Sequence, residues 1–355
     1  MSLAHLELSN FRNFSRISID LHGSCNVFYG ANGAGKTSLL ESIYYLSSGK
    51  SFRTRNIAKI IKYDERCISI FGELAHADGL LNIGLEHDCE KKTIKLGGKE
   101  SSTAEIAKLL PIQLLNHNGY KILEYPKFRR RFIDWGLFHV EPNFFGVWRN
   151  FSRLLKQRNT SLNNENMFKH ISIWDRELAK VGIELHKMRE QYTEKLIPII
   201  KKLLADFLST IEITIKYHPG WSSNSDLEHI LTSGLSRDRV LGFTQYGPHK
   251  SDLSFKVKNI SAHDVLSRGQ QKILFFVISL AQGMLFEELT GKKCMYLADD
   301  FSAELDKDKK QLVVDILKKL NAQIFVTGLE NNELIEFFSE NKKMFHVEHG
   351  SIREQ

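Results

Sequence analysis

The eight residues Gly30-Ala31-Asn32-Gly33-Ala34-Gly35-Lys36-Thr37 fit the pattern G-x-x-x-x-G-K-[ST]. They follow Cys25-Asn26-Val27-Phe28-Tyr29, which reads as a buried strand, and precede Leu39, Leu40, Ile43 and Leu46 at helical spacing. Strand, glycine loop and helix in that order make an anion site. Glycines let successive backbone amides turn toward α and β phosphates, and the helix N-terminus adds a favourable dipole. Lys36 then reaches the β and γ phosphates, and Thr37 offers its hydroxyl to Mg²⁺, so ATP and Mg²⁺ are the expected ligands. The plainer alternative is a glycine-rich turn ahead of an ordinary helix; the full match and its flanks favour the phosphate loop. Far along the chain, Met295-Tyr296-Leu297-Ala298-Asp299-Asp300 is a short apolar strand ending in two carboxylates. Adjacent acids repel unless a cation lies near, so Asp299 is expected to hold Mg²⁺, through a water. The alternative is a solvated strand end.

Leu266-Ser267-Arg268-Gly269-Gln270-Gln271 opens an amphipathic helix through Ile273, Leu274, Val277, Leu280 and Ala281. This stretch resembles the signature motif of ABC-type ATPases. The resemblance implies that Ser267, with Gly269 and Gln270 at the helix start, binds the γ-phosphate of nucleotide held by an opposite subunit, which makes ATP the glue of a homodimer. A plain Ser cap with a glycine in the first turn is the other reading. The 32 residues from Ser267 to Asp299 leave room for the helix, a loop and the carboxylate strand. Asp300 then falls where this superfamily places the carboxylate that orients the attacking water. Asp300, Ser267 and Lys36 are thus the candidate catalytic set. Phe301-Ser302-Ala303-Glu304-Leu305-Asp306 resembles the D-loop, and Gln323-Ile324-Phe325-Val326-Thr327 ends a strand as the switch segment does.

These groups need a scaffold, and 355 residues exceed one ordinary domain. Leu6 and Leu8, then Ile17, Ile19 and Leu21, alternate with polar residues and predict a hairpin turning at Asn10-Phe11-Arg12-Asn13. From Cys67 to Leu96, β-rich runs punctuated by glycine predict an antiparallel sheet, and Ser102-Thr103-Ala104-Glu105 is a capping box for a short helix. Between Trp148 and Leu208, glycine and proline nearly vanish and apolar residues recur at helical spacing (Ile173, Leu178, Val181, Leu185, Met188), which predicts a helical insertion. About 60 helical residues folded back on themselves reach only about 45 Å per arm, so a lever-like domain fits better than a long coiled coil. Polar residues around 221–225 form a loop after it. Hydrophobic residues at 42% and charged residues at 26% argue against disorder. An excess of 49 Lys and Arg over 42 acids gives +7, which favours a polyanionic partner. The four scattered cysteines predict reduced thiols, with Cys25 and Cys294 in the core. With neither a leader-like N-terminus nor about 18 consecutive apolar residues, the expected location is cytoplasmic, without a membrane partner.

Several separate segments, in order, resemble the RecF family: Leu8-Ser9-Asn10-Phe11-Arg12-Asn13, Gly49-Lys50-Ser51-Phe52-Arg53, Arg129-Arg130-Arg131-Phe132-Ile133-Asp134, Gly247-Pro248-His249-Lys250-Ser251-Asp252-Leu253 and Phe345-His346-Val347-Glu348-His349-Gly350. The resemblance covers nearly the whole chain. It implies an α/β fold, an ABC/SMC-type P-loop ATPase head with an antiparallel β subdomain formed by residues 1–115 and 240–355, and a mainly helical lever-arm domain at 116–239. It further implies a weak DNA-dependent ATPase that works as a switch and dimerises on ATP. Binding to single-stranded, gapped or junction DNA, a RecR-type mediator as partner, recombinase loading and SOS induction complete the expectation. The chain departs from the family at Asn116-His117-Asn118-Gly119 and at Phe301-Ser302-Ala303-Glu304. Gln113 is a candidate Q-loop residue or a strand glutamine facing solvent.

A transporter ATPase would share both motifs, but its interval between them is much shorter than the 231 residues here. A small-molecule kinase would need one P-loop and no Ser-x-Gly-Gln helix. His346 and His349 could suggest a metal, yet they lie three apart on a strand without further ligands and read as structural. Lys127-Phe128-Arg129-Arg130-Arg131 is a DNA contact, a solvated basic face or a hinge; Arg149, Arg153, Lys156 and Arg158 continue the positive charge as a DNA contact or a solvated helix face.

Overall fold

The computed structural model describes residues 1–76, 79–116, 119–222, 225–301, 306–329 and 341–355. Alternating apolar residues form the opening hairpin: β1 (Ser2–Phe11) and β2 (Phe14–Asp20) pair antiparallel, with Leu6 opposite Ile19 and Leu8 opposite Ile17. A register shift between Leu3 and His5 lets Leu3, Leu6 and Leu8 all face the core. Next come β3 (Cys25–Tyr29), buried at all five positions, and α1 (Lys36–Ser48), which stops where Gly49 takes a left-handed conformation. β4 (Cys67–His76), β5 (Gly79–Asp88), β6 (Lys92–Leu96) and β7 (Lys99–Glu100) complete the antiparallel sheet, ordered β2-β1-β4-β5-β6-β7. α2 (Thr103–Leu109) opens with the predicted capping box between Ser102 and Glu105, and β8 (Ile112–Leu115) follows.

The chain then folds a second compact unit before returning to the first. Its helices are α3 (Lys121–Glu124), α4 (Pro126–Val140), α5 (Phe144–Leu162), α6 (Glu165–Phe168) and α7 (Ile171–Phe207). β9 (Thr214–His218), α8 (Leu227–Ser233), α9 (Leu235–Leu241), β10 (Asp252–Val257), β11 (Ile260–Ser261) and α10 (Ala262–Val265) follow. The strands form a small antiparallel sheet ordered β11-β10-β9. The helical insertion is present but lopsided: α5 has 19 residues, whereas the 37-residue α7 spans about 55 Å. Its buried stripe runs Ile171, Asp175, Leu178, Gly182, Leu185, Arg189 and Tyr192, three or four residues apart. Ile173 falls off that stripe and is 60% exposed, against the pattern read from sequence.

α11 (Arg268–Thr290) starts in the second unit and ends in the first. It is long and apolar enough to cross a membrane by length and composition, but 72% of its most apolar window is buried in the protein, as in a core helix. β12 (Met295–Ala298), α12 (Lys307–Lys319), β13 (Gln323–Gly328), β14 (Lys342–Glu348) and β15 (Ser351–Glu354) close the first unit. Its second sheet is ordered β15-β14-β3-β13-β12-β8, parallel throughout except for the antiparallel edge strand β15. α1 contacts strands of both six-stranded sheets, and one apolar core spans them.

The units comprise residues 1–119 with 278–355, and residues 120–277. Residues 240–277 therefore belong with the second unit, not with the head to which the sequence reading assigned them. The reason is strand pairing: Asp252–Lys256 of β10 lies against Thr214–His218 of β9. All four cysteines are free thiols, with Cys25 and Cys294 buried as expected.

Candidate nucleotide site

The parallel sheet brings the predicted phosphate loop and the carboxylate strand together. The loop leaves β3, separated from β12 by β13 alone, so three strand ends converge. Gly30, Gly33 and Gly35 have φ of 144°, 80° and 121°, where a side chain is strained. At Gly30 and Gly35 space is also lacking: added Cβ atoms would sit 2.3 Å from the Val347 carbonyl oxygen and 2.6 Å from the Asn13 amide nitrogen. The Lys36 ammonium donates to the carbonyls of Gly30 (2.6 Å) and Ala31 (2.9 Å). Burial pushes its pKa down, while Asp300 and Asp299 pull it back up. Asn32 is exposed and Ala34 buried at the base of the loop.

Thr37 and Asp299, 262 positions apart in sequence, meet: the hydroxyl donates to the carboxylate at 2.9 Å. Asp299 is 3% exposed and accepts a second hydroxyl, from Thr327, also at 2.9 Å. The Thr327 hydroxyl in turn accepts from the Asp300 backbone N–H at 2.8 Å. Thr327 thus links the two acids; the sequence reading likened its strand end to the switch segment but did not foresee these bonds. Asp300 itself is partly exposed, with φ of 51°, in the left-handed region that non-glycine residues seldom adopt. A hydroxyl and a carboxylate side by side are hard oxygen donors and suit Mg²⁺, which keeps several waters and takes one or two carboxylates.

Sequence reasoning missed what grips the loop from outside. The Asn13 side-chain amide donates to the Ala34 carbonyl at 2.9 Å, and the Gly350 amide donates to that same oxygen at 3.3 Å. Arg12 forks the fully buried Glu41 of α1 at 2.9 and 2.7 Å. The β1–β2 turn therefore clamps both loop and helix. The signal was present in Asn10-Phe11-Arg12-Asn13, which read as a turn and as a segment of the family resemblance but not as a clamp. Gln113 does not face solvent; it is buried and donates to Gln282 at 2.9 Å. Residues 117–118 and 302–305 lie outside the described residues, so part of the departing 116–119 segment and most of the candidate D-loop carry no structural account. At the D-loop's ends, Phe301 is buried and Asp306 caps α12.

Ser267 lies in the other compact unit from Lys36. It is exposed and caps α11 reciprocally: its hydroxyl accepts from the Gln270 amide (3.3 Å), and the Gln270 side chain accepts from the Ser267 amide (2.9 Å). Gly269 is exposed, and a Cβ there would meet nothing closer than the Ser267 hydroxyl at 4.0 Å. Among the described residues no packing calls for glycine at that position.

The basic segments divide by burial. Arg129 is buried and forks Asp252 at 2.6 and 2.9 Å while donating to the Ile122 and Leu123 carbonyls. Arg130 donates to the Ser251 carbonyl, and Arg189 forks Asp134 and reaches Pro248 and Ser251. The segments around Arg129 and Gly247 thus clasp each other. Only Arg131 of the three arginines is exposed, with its guanidinium 5.9 Å from the Phe128 ring. Arg158 is wholly buried between Asp175 and Asp238, both at 2.6 Å. His346 packs on Tyr29, His349 sits in a turn, and among the described residues no three metal-binding side chains cluster.

The sequence model for the RecF/RecN/SMC N terminal domain matches residues 2–353. The DNA replication and repair protein RecF of Psychromonas ingrahamii is 39% identical over 99% of both chains. The chain belongs to the RecF family. RecF of Haemophilus influenzae is likewise 39% identical over 99% of both chains, and RecF of Vibrio cholerae 38% over the full length of both. A solved structure of the recombination mediator protein RecF with ATP, in the RecFOR pathway, superposes with a TM-score of 0.88 at 27% identity, covering 100% of this chain and 97% of that one. An SMC head bound to the C-terminal winged-helix domain of ScpA covers 100% of this chain and 97% of its own, with a TM-score of 0.61 and 15% identity, and shares the fold alone. The family's fold is the α/β ABC/SMC-type ATPase head that the motifs implied.

Proposed function

We propose that this chain is an ATP-binding DNA replication and repair protein of the recombination-mediator class that dimerises around bound nucleotide. The observation that carries the reading is the meeting of Thr37 and Asp299 beside Lys36 and the glycine loop. Gly30 through Gly35 would supply backbone amides to the α and β phosphates, with Lys36 serving the β and γ phosphates. Thr37 and Asp299 would hold Mg²⁺, which when bound neutralises charge on the phosphates. Asp300, turned out of the strand beside them, would orient the attacking water. Ser267, Gly269 and Gln270 would meet the γ-phosphate of a partner's nucleotide; the open space around Gly269 supports this, since among the described residues glycine there serves no contact.

Hydrolysis in this reading is slow and resets the dimer, so the protein acts as a switch. The partners are single-stranded, gapped or junction DNA and a RecR-type mediator, with recombinase loading and SOS induction as the outcome and the cytoplasm as the location. Names of the relatives and the net charge of +7 support the DNA reading. Equilibrium binding of a fluorescent ATP analogue tests the site. Lys36→Ala should lose at least tenfold in affinity, because the loop's long cation is gone; an unchanged affinity places the phosphates elsewhere.

A further inference from the structure

α5 carries no Asp or Glu along its 19 residues; the nearest acids in sequence are Glu141 and Glu165. Its buried side includes Phe151, Leu154 and Arg158, while Phe145, Trp148, Arg149, Arg153 and Lys156 are exposed along the opposite face at helical spacing. A merely solvated helix face interleaves both signs, as α7 does with Glu177, Lys180, Glu184 and Lys187. Here three cations stand on one strip with no anion among them.

The strip also holds aromatic rings. Phe145 and Trp148 are 37% and 38% exposed and their ring planes are nearly parallel, with centroids 6.4 Å apart and an interplanar angle of 12°. Phe138 meets Phe145 edge-on at 5.8 Å, which packs the inner ring of the pair against α4. Beyond the first two cations, an open groove of about 650 Å³ is lined by Leu155, Lys156, Asn159, Thr160, Asn163 and Asn164, so amide and hydroxyl groups stand beside an apolar floor. Exposed rings, cations that form no ion pair among the described residues and a groove edged with amides are what an unpaired nucleic-acid strand needs: faces for bases, charge for phosphates and hydrogen-bonding groups for sugars.

We propose that the exposed face of α5 binds single-stranded DNA, with bases stacking at Phe145 and Trp148 and phosphates tracking Arg149, Arg153 and Lys156. The proposal rests on the reading of the chain as a DNA-binding protein and assigns that reading a surface. The binding is sequence-tolerant, because every base has a face to stack.

The test titrates the full-length protein, with and without ATP, against a fluorescent oligo(dT) 20-mer over a range of salt. Replacing Arg149, Arg153 and Lys156 together by Gln should reduce the slope of log affinity against log salt by about 2, near 0.7 per phosphate contact on a single strand. Trp148→Ala should weaken binding about 5- to 150-fold, and Trp148→Phe, which keeps a ring, should recover much of it. Crosslinking with iodouracil in the oligonucleotide should mark the 144–156 peptide. If the wild type binds and both variants match it in slope and affinity, the strand runs elsewhere and this proposal falls while the DNA reading stands. If the wild type binds no DNA under any condition, both fall. If polyglutamate displaces the oligonucleotide at equal charge and Trp148→Ala changes nothing, the face serves an acidic protein and the proposal is wrong.

Discussion

The two carboxylates at the end of β12 sit in different surroundings despite being neighbours. Asp299 is buried and holds two threonine hydroxyls, whereas Asp300 is half-open and twisted into a left-handed conformation. A group fixed against Thr37 suits a metal; a group turned outward suits a water. Asp300→Asn should therefore keep nucleotide and Mg²⁺ affinity within about threefold while lowering kcat about 100-fold or more, in the range of a lost general base. Asp299→Asn should weaken Mg²⁺-dependent binding itself. Equal loss of affinity in both would refute the division. His249 offers a separate test. Its Nε2 bonds the Thr244 carbonyl, its buried Nδ1 has no partner among the described residues, and burial lowers its pKa to about 4. Above pH 6.5 the ring is neutral folded or unfolded and contributes nothing. As pH falls from 6.5 toward 4, the unfolded chain takes up the proton first, so stability drops by up to about 3 kcal/mol. Urea midpoints of His249→Gln should fall less steeply across that window than those of the wild type; parallel curves would contradict the assignment.

At the scale of elements, what could be read ahead was what is local. The glycine loop, the hairpin and the Ser102 capping box each lie within a few consecutive residues, and each folds as its sequence says. Arg129 and Arg131 look alike in sequence, but one is buried on Asp252, 123 positions away, and the other is exposed. Nothing near either residue encodes that distinction. The same holds for Thr327, whose partners come from another strand, and for β10, which pairs with β9 and so takes residues 240–277 out of the head. Asn13 was legible as a turn residue; its grip on the phosphate loop depends on a packing that only the fold supplies. Arg129→Ala should cost about 3 kcal/mol, since it leaves Asp252 without its partner, while Arg131→Ala should stay within about 0.5 kcal/mol. Denaturant midpoints check this. A near-neutral Arg129→Ala would mean that the clasp between the two segments is not what holds them.

At the scale of the molecule, the candidate nucleotide groups are divided between two compact units, with Lys36, Thr37, Asp299 and Asp300 in one and Ser267, Gly269 and Gln270 in the other. Ser267 is exposed and its capping bonds stay within the first turn of α11, so the serine is available to a neighbour. ATP can draw two chains together only if it binds the dimer better than the monomer; in the proposed clamp a bridging γ-phosphate would provide that difference where ADP would not. Static light scattering of the wild type and of Ser267→Arg, each with ADP and with ATP, measures the claim directly. ATP should double the mass of the wild type and ADP should not. Ser267→Arg should bind ATP with unchanged affinity yet remain monomeric in both nucleotides, because the bulky side chain fills the place of the partner's phosphate. A Ser267→Arg protein that doubles its mass with ATP as the wild type does would contradict the clamp and leave a single-site phosphate-loop enzyme as the better account.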